Sequence, residues 1–392
     1  MAAETTGDEP TESGGDGRLE RGRDGSDDGG GARSGAARTT PNGSLPTHPA
    51  FERYETESVP SVGVGRPGKS GELDLSFAVA DGTTRLVRDY ARVPFHVSGT
   101  LGHDPHPRGE TVYVQSPSGG IAQGDRHDVS ITAGEDAIAH VSTGSSTKVL
   151  SMEHNYGGVE VSLRVGPGAH LEYVPEPLIL HADARYCQGV SVDLASDASA
   201  ILGEVVVPGR LARGERFEFD RYASRLRAYR EGRLTVADDA HLCPAENDPS
   251  APGVLGEFDV YGTLYVLTPD PEAVDESETD APEPAALSDT LHEAVTGRVA
   301  DGGGTDGGGG GDGDDAAGSD VEGGSSDVEG DNRDAGGGDP VAAGATALPN
   351  GAGVAVRALG DRADAVSGAL RAAWSAARIE LVGAEAAPRR KN

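Results

Sequence analysis

From Gly71 to Asp238 the chain keeps returning to a two-residue alternation of apolar and polar side chains. GELDLSFAV, ETVYVQS, HDVSITA, GVEVSLRV, AHLEYV, GVSVDLA, RFEFDRY and GRLTVAD all carry it, and Gly, Pro, Asp or Ser separates them. Successive side chains of a strand point to opposite faces, so each run offers one apolar face to a core. Many short runs punctuated this way predict an all-β body. Three of them also recur. DVSITAGEDAIAHVST (128–143), EVSLRVGPGAHLEYVP (160–175) and VSVDLASDASAILGEV (190–205) each read as strand, tight turn, strand. The alanine opening the second strand falls at Ala137, Ala169 and Ala200, at spacings of 32 and 31. A unit repeated at such a period buries its face against its neighbours. Consecutive hairpins of an ordinary sandwich show the same spacing by chance. The expectation is a mainly β fold: stacked β-hairpins in two facing sheets, like a β-solenoid or sandwich.

Helices come late. Residues 285–300 place Leu287, Leu291 and Val295 at helical spacing behind Ser288 or Asp289 as N-cap. GVAVRAL (353–359) predicts a strand, and 361–381 predicts a helix with Val366, Leu370 and Trp374 on one stripe. The β body therefore ends in a small C-terminal α/β piece of two helices.

Two stretches cannot bury enough apolar surface to offset their ordering entropy. These are 1–45 and the Gly/Asp-rich 301–345. The organisation that follows is a disordered tail (1–45), a β-rich body with the first C-terminal helix (46–300), a disordered insertion (301–345), a strand and helix completing the domain (346–385), and a tail (386–392). Net charge is −32, and lysine occurs only as Lys69, Lys148 and Lys391. An acidic, lysine-poor surface stays hydrated in concentrated salt, which suggests a halophilic source; an ordinary acidic protein with acidic tails is the other reading. Nucleic acid is excluded as a partner, because phosphate requires a basic surface. Cys187 and Cys243 have no metal or redox spacing, so they read as core thiols in a reducing compartment. No apolar run nears the roughly 20 residues of a membrane helix. The polar, acidic N-terminus does not read as a signal peptide. The chain is expected to be cytoplasmic.

SPSGGIAQGDRHD (116–128) is the first candidate site. Gly119, Gly120 and Gly124 fit neither a P-loop nor a dinucleotide fingerprint, and strands flank them on both sides. Two readings stand: a tight turn needing positive φ, or a turn that places Asp125 where something meets it. STGSSTKVLSM (142–152) holds Thr147 and Lys148, with no neighbour that marks the lysine as catalytic. His103, His106, His181 and His241 form no metal signature. Asp125, Glu172, Glu176, Glu204 and Asp238 lie in or beside apolar β segments, where a carboxylate is costly unless paired, hydrated or liganded. A row of them suits a wet path for a hard or borderline cation. Alternation also sends half of such acids to solvent.

Five blocks in one order resemble the family of the urease accessory protein UreD, also called UreH. SPSGGIAQGDRHDVSI is similar to its PPGGxVGGD turn and strand, STGSSTKVLSM to TxxxxTKxYRS, GAHLEYVPEPLILHADA to GAxLEWLPQxxIxFxGA, and GEVVVPGRLARGERF to WExxxxGRxAxGExF. VYGTLYVL, a helix, a VRxL strand and a last helix follow its C-terminal half. The likeness covers about 50–300 and 345–385. Departures are Gln123 in the GGD turn, Tyr173 and Gly203 for two tryptophans, and Leu150–Ser151 after the TK pair.

The resemblance implies a non-enzymatic maturation factor with no permanently bound cofactor. It implies apo-urease subunits, UreF and the GTPase UreG as partners, and transient nickel as cargo in a water-filled internal path. The acids of that path map to Asp125, Glu204 and Asp238. Gly119, Gly120, Gly124, Thr147, Lys148, Gly209 and Arg210 fall on motif positions that shape partner contacts or the fold. On this reading the Gly turn presents Asp125 at a channel mouth or partner surface. Two other classes compete. A β-solenoid enzyme acting on polysaccharide needs paired acids and aromatic platforms, and aromatics are only 4% here. A salt-adapted binding module is the third.

Overall fold

The computed structural model describes residues 48–59, 68–101, 104–271, 282–300 and 341–387. All belong to one compact unit that begins at Gly43. The 1–45 tail, residues 301–340 of the insertion and residues 388–392 lie outside the described residues.

The strands are β1 Ser70–Ala80, β2 Thr83–Arg92, β3 His96–Leu101, β4 Glu110–Gln115, β5 Arg126–Ala133, β6 Ile138–Thr143, β7 Thr147–Val149, β8 Gly157–Val165, β9 His170–Tyr173, β10 Leu178–Leu180, β11 Arg185–Leu194, β12 Ser199–Val207, β13 Arg221–Arg230, β14 Arg233–Leu242, β15 Val260–Leu267, β16 Ala342–Ala347 and β17 Gly353–Gly360. The helices are α1 Glu52–Glu55, α2 Pro284–Ala300 and α3 Ala363–Val382. One sheet runs β14-β13-β11-β8-β5-β1-β2. The other runs β16-β17-β15-β12-β9-β6-β4-β3, with β10 joining β12 to β7 at its side.

The repeat is real, but its unit is not a hairpin. β5 belongs to the first sheet and β6 to the second, so the turn between them is an arch across the core. Each strand pairs in parallel with its counterpart in the next unit: Val129 opposite Val161, Val161 opposite Val190, Ile138 opposite His170, His170 opposite Ser199. That is solenoid stacking in two facing sheets. Parallel neighbours cannot be joined by tight turns, which is why the chain crosses between sheets at every turn.

Ala137 and Ala169 close equivalent arches, each amide donating to the carbonyl three residues back. The third equivalent is Ala198, not Ala200, for Ala198 donates to Ala195 in the same way. Ladder bonds agree: the His170 amide donates to Ala137 O (2.8 Å) and the Ser199 amide to Ala169 O (3.0 Å). The three arches have the same length, so the drift in period arises in the return connections.

Two further expectations change. RFEFDRY is not a strand, because Phe217 adopts φ +57° and the strand opens only at Arg221. β16 was not foreseen, since five of the six residues in AAGATA are Ala or Gly and carry no strand signal; its first four residues fall inside the 301–345 segment. Residues 48–59 form a strap whose Phe51 and Tyr54 pack on Tyr156, Cys187 and Ala223 outside the first sheet.

Two cores result. One lies between the sheets and includes Leu75, Ile131, Leu163, Leu171 and Leu202. The other lies between the second sheet and the helices, where Ile201, Leu264 and Val356 meet Leu287, Leu291, Leu370 and Trp374. The central strands of the second sheet are thus covered on both faces. α3 comes close because position 262 is glycine: a Cβ there would lie 2.6 Å from Leu370 Cδ1. Cys187 and Cys243 are buried and form no disulfide. Among the described residues no helix is long and apolar enough to cross a membrane.

On the outer face of the first sheet, Glu72, Asp128 and Glu160 stand in register on adjacent strands. Burial pushes the Glu160 carboxyl up to about 7, with the Asp128 charge adding to it and Arg225 opposing it. Its ordinary value is 4.5. Between these values the folded chain holds a proton that the unfolded chain has released, so this group's contribution to stability falls as pH rises. Glu160→Gln is expected to remove that slope: equal to the parent in acid, more stable than it at neutral pH. Urea unfolding at fixed KCl across this range checks it, and identical pH profiles would contradict it.

Candidate functional site

A cavity of 820 Å3 lies between the sheets. Its position follows from strand parity. Along β12, Ile201 and Val205 face the helices, while Leu202 and Glu204 face inward. The same register sets Glu204 opposite Thr263 of β15, and Thr263 opposite Arg357 of β17. Gln188, Ser224 and Asp238 face them from the first sheet. Half of the chain's ten tyrosines line the space: Tyr113, Tyr173, Tyr186, Tyr261 and Tyr265. In so aromatic-poor a chain, that concentration makes this interior polar and able to donate hydrogen bonds.

Glu204 bridges the sheets. Its Oε1 accepts from Gln188 Nε2 and from the Tyr222 hydroxyl, both at 3.0 Å, and Ser224 Oγ lies 3.5 Å from Oε2. Burial raises its pKa and the Asp238 charge adds to the rise, against the three donors. Burial, reinforced by the Glu204 charge, pushes Tyr173 up to about 12 and holds Tyr186, Tyr222 and Tyr261 well above their ordinary value. The phenols therefore remain neutral donors. Asp238 Oδ2 accepts from the Tyr265 hydroxyl and from Arg357 Nη2, the latter at 2.6 Å.

Gly119, Gly120, Thr147 and Lys148 form another part of the lining. Gly120 has φ +142°, and a Cβ there would lie 2.5 Å from Lys148 O. This close approach lets the Ile121 amide donate to Lys148 O (2.8 Å), while the Thr147 amide donates to Pro177 O (2.9 Å). The TK segment is thus held between the Gly turn and the chain leading to β10.

Asp125 is placed elsewhere. It is fully buried and outside the cavity lining. Its Oδ1 accepts from the Lys69 amide (2.7 Å) and its Oδ2 from the Ala122 amide (2.9 Å), with Lys69 Nζ at 3.8 Å. The carboxylate fastens the turn to the start of β1, with Gly124 at φ +74° beside it. It is not presented at a channel mouth. Gly209 and Arg210 also lie outside the lining and close a loop: Gly209 abuts the Glu215 carbonyl, and Arg210 Nε donates to Glu215 Oε2 (2.7 Å).

Glu172 faces the helices, where a second polar cluster is buried. His140 Nδ1 lies 3.2 Å from Glu172 Oε2, and His170 Nε2 lies 3.1 Å from Oε1. Arg378 Nε stands 2.6 Å from Oε1, while its Nη2 pairs with Asp104 at 2.6 Å. Burial would raise the Glu172 pKa, yet His140 and His170 hold it well below the usual carboxylate range. Ser199 Oγ lies 2.8 Å from His170 Nδ1, giving the connectivity of a hydrolytic triad. Ser199, His170 and Glu172 line neither this cavity nor the 60 Å3 pocket beside His140 and Trp374, so no substrate carbonyl reaches the serine through either. Among the described residues no three His, Cys, Asp or Glu side chains converge on a metal position.

The sequence reading missed the tyrosines, Gln188 and Arg357. The inward parity of Tyr173, Tyr186 and Tyr265 on their strands was the available signal.

Fold and site together define a hollow solenoid of β-arches, capped by two helices, with an acidic, tyrosine-lined interior. Residues 69–392 match the family model described as the UreD urease accessory protein. The chain belongs to this UreD family. It is 55% identical over 345 residues to the urease accessory protein UreD of Haloarcula marismortui, a match covering 88% of this chain and 98% of the relative. The UreD proteins of Natronomonas pharaonis and Haloquadratum walsbyi are 42% and 38% identical, covering 85% and 86% of this chain and 95% and 94% of theirs. Haloarcula marismortui is a halophilic archaeon, in keeping with the acidic, lysine-poor composition.

Proposed function

We propose that this chain serves urease maturation in the cytoplasm as a scaffold and nickel conduit, passing the ion from a UreF–UreG assembly to apo-urease. The observation that carries this reading is the cavity holding Glu204 and Asp238 in one lining. Nickel is a borderline cation that carboxylate, hydroxyl and water ligands accept. Both acids are already engaged by protein donors, so an arriving ion must compete for them and each stop is weak. Weak stops in series suit transfer, since a tight site would retain the ion. UreF, UreG and apo-urease enter as partners through the family resemblance, and a soluble delivery factor needs no permanently bound cofactor. The test is co-expression of the tagged chain with urease subunits and the other accessory proteins, purified in high salt. Capture of apo-urease and dependence of nickel-loaded urease on this chain are expected. Urease that matures equally without it would overturn the reading.

A further inference from the structure

Asp238 and Glu204 share the cavity but have different company. Glu204 is enclosed by neutral donors, Gln188, Tyr222 and Ser224. Asp238 meets a full positive charge, Arg357 Nη2 at 2.6 Å. Arg357 reaches it across the gap between the sheets, from β17 of the second to β14, the last strand of the first. The Arg357 side chain is 64% exposed and that of Asp238 33%. The guanidinium therefore stands at the solvent end of the lining, with Asp238 next and Glu204 further in. An ion pair this exposed is weak and exchanges readily. The exposed guanidinium regains water as it leaves the carboxylate, so release carries no desolvation cost on its side.

Resting on the conduit reading above, we propose that Arg357 is a tethered stand-in for the transported cation. It neutralises Asp238 while the path is empty. A divalent ion reaching Asp238 displaces it, and Arg357 returns when the ion moves on. The residue thus sets a low affinity at the outer stop and favours doubly charged ions, since a monovalent ion gains no more from Asp238 than the guanidinium already does. A role as a mere staple between sheet edges makes a different prediction, because removing a staple changes stability without changing ion affinity.

The discriminating experiment is equilibrium dialysis of the full chain against radioactive Ni2+ at fixed KCl, with melting temperature recorded for every variant. Arg357→Met removes the charge and keeps the stem; it is expected to bind Ni2+ about three- to fivefold more tightly than the parent, the worth of an exposed ion pair. Arg357→Lys keeps the charge and should stay within about twofold of the parent. Adding Asp238→Asn to Arg357→Met should abolish the gain. Unchanged affinity in Arg357→Met, or a gain that survives Asp238→Asn, overturns the proposal alone while a parent that binds through Asp238 keeps the conduit. Binding indifferent to both Glu204→Gln and Asp238→Asn sinks the conduit reading and this proposal together.

Discussion

Arg378→Met is expected to destabilise the folded chain by about 3–5 kcal/mol, the usual effect of breaking one partner out of a buried ionic network. Arg378 has no exposed surface. Its guanidinium meets Glu172 through Nε, Asp104 through Nη2 and the Glu385 carbonyl through Nη1. One planar fork thus ties α3 to β9, to the loop before β4 and to the segment after α3. Methionine matches the stem but leaves Asp104 and Glu172 buried without the guanidinium that joins them. Arg378→Lys should recover little, because an ammonium is a point charge and cannot reach three directions. Adding Glu172→Gln to Arg378→Met should recover part of the loss, since it removes one stranded charge. Urea unfolding at constant KCl gives all three values. A loss below about 1 kcal/mol in Arg378→Met would show that the network is not buried as described.

Asp125→Ala is expected to cost about 2–4 kcal/mol, from the two half-buried amides it orphans. Those amides belong to Lys69 and Ala122, at the entry to β1 and within the Gly turn. The structural role predicts a signature that a cation ligand would not give. Asp125→Asn keeps one amide acceptor and should retain more than half of the lost stability, although it has lost the negative charge. Any fall in urease activation in Asp125→Ala should follow the fall in folded protein and be recovered at lower temperature. Full stability with lost activation would return Asp125 to the path.

Much of the fold was legible in the sequence. Alternation located β1, β4, β5, β8, β9, β11 and β14, because each has one face in a core. The repeat located two facing sheets. It did not show that each turn crosses between them, since the same strand–turn–strand pattern serves a hairpin and an arch, and only pairing partners differ. RFEFDRY carried the right pattern without the conformation, because one left-handed residue at Phe217 ends the extended run. β16 has pairing without a strong pattern: it pairs along β17, and only small Ala343 and Ala345 turn to the helix-side core.

The site was legible in part. Glu204 and Asp238 were identified as acids in apolar strands and do share the cavity. Asp125 and Glu172 met the same description and belong elsewhere. A buried carboxylate is marked by its neighbours in space, and those come from distant segments: Lys69 for Asp125, Arg378 for Glu172. Arg357 lies more than a hundred residues from Asp238 and gave no local signal.

The most direct test of the conduit is the nickel content of urease matured with Glu204→Gln in place of the parent chain. Glutamine keeps the size and most of the hydrogen bonding at the centre of the cavity, so the melting temperature should hold and apo-urease should still be captured. Nickel per urease active site should fall at least about tenfold, in line with the effect of removing a carboxylate that supports a metal. Urease fully loaded by a stable Glu204→Gln chain would contradict the conduit and leave the cavity without a part in nickel delivery.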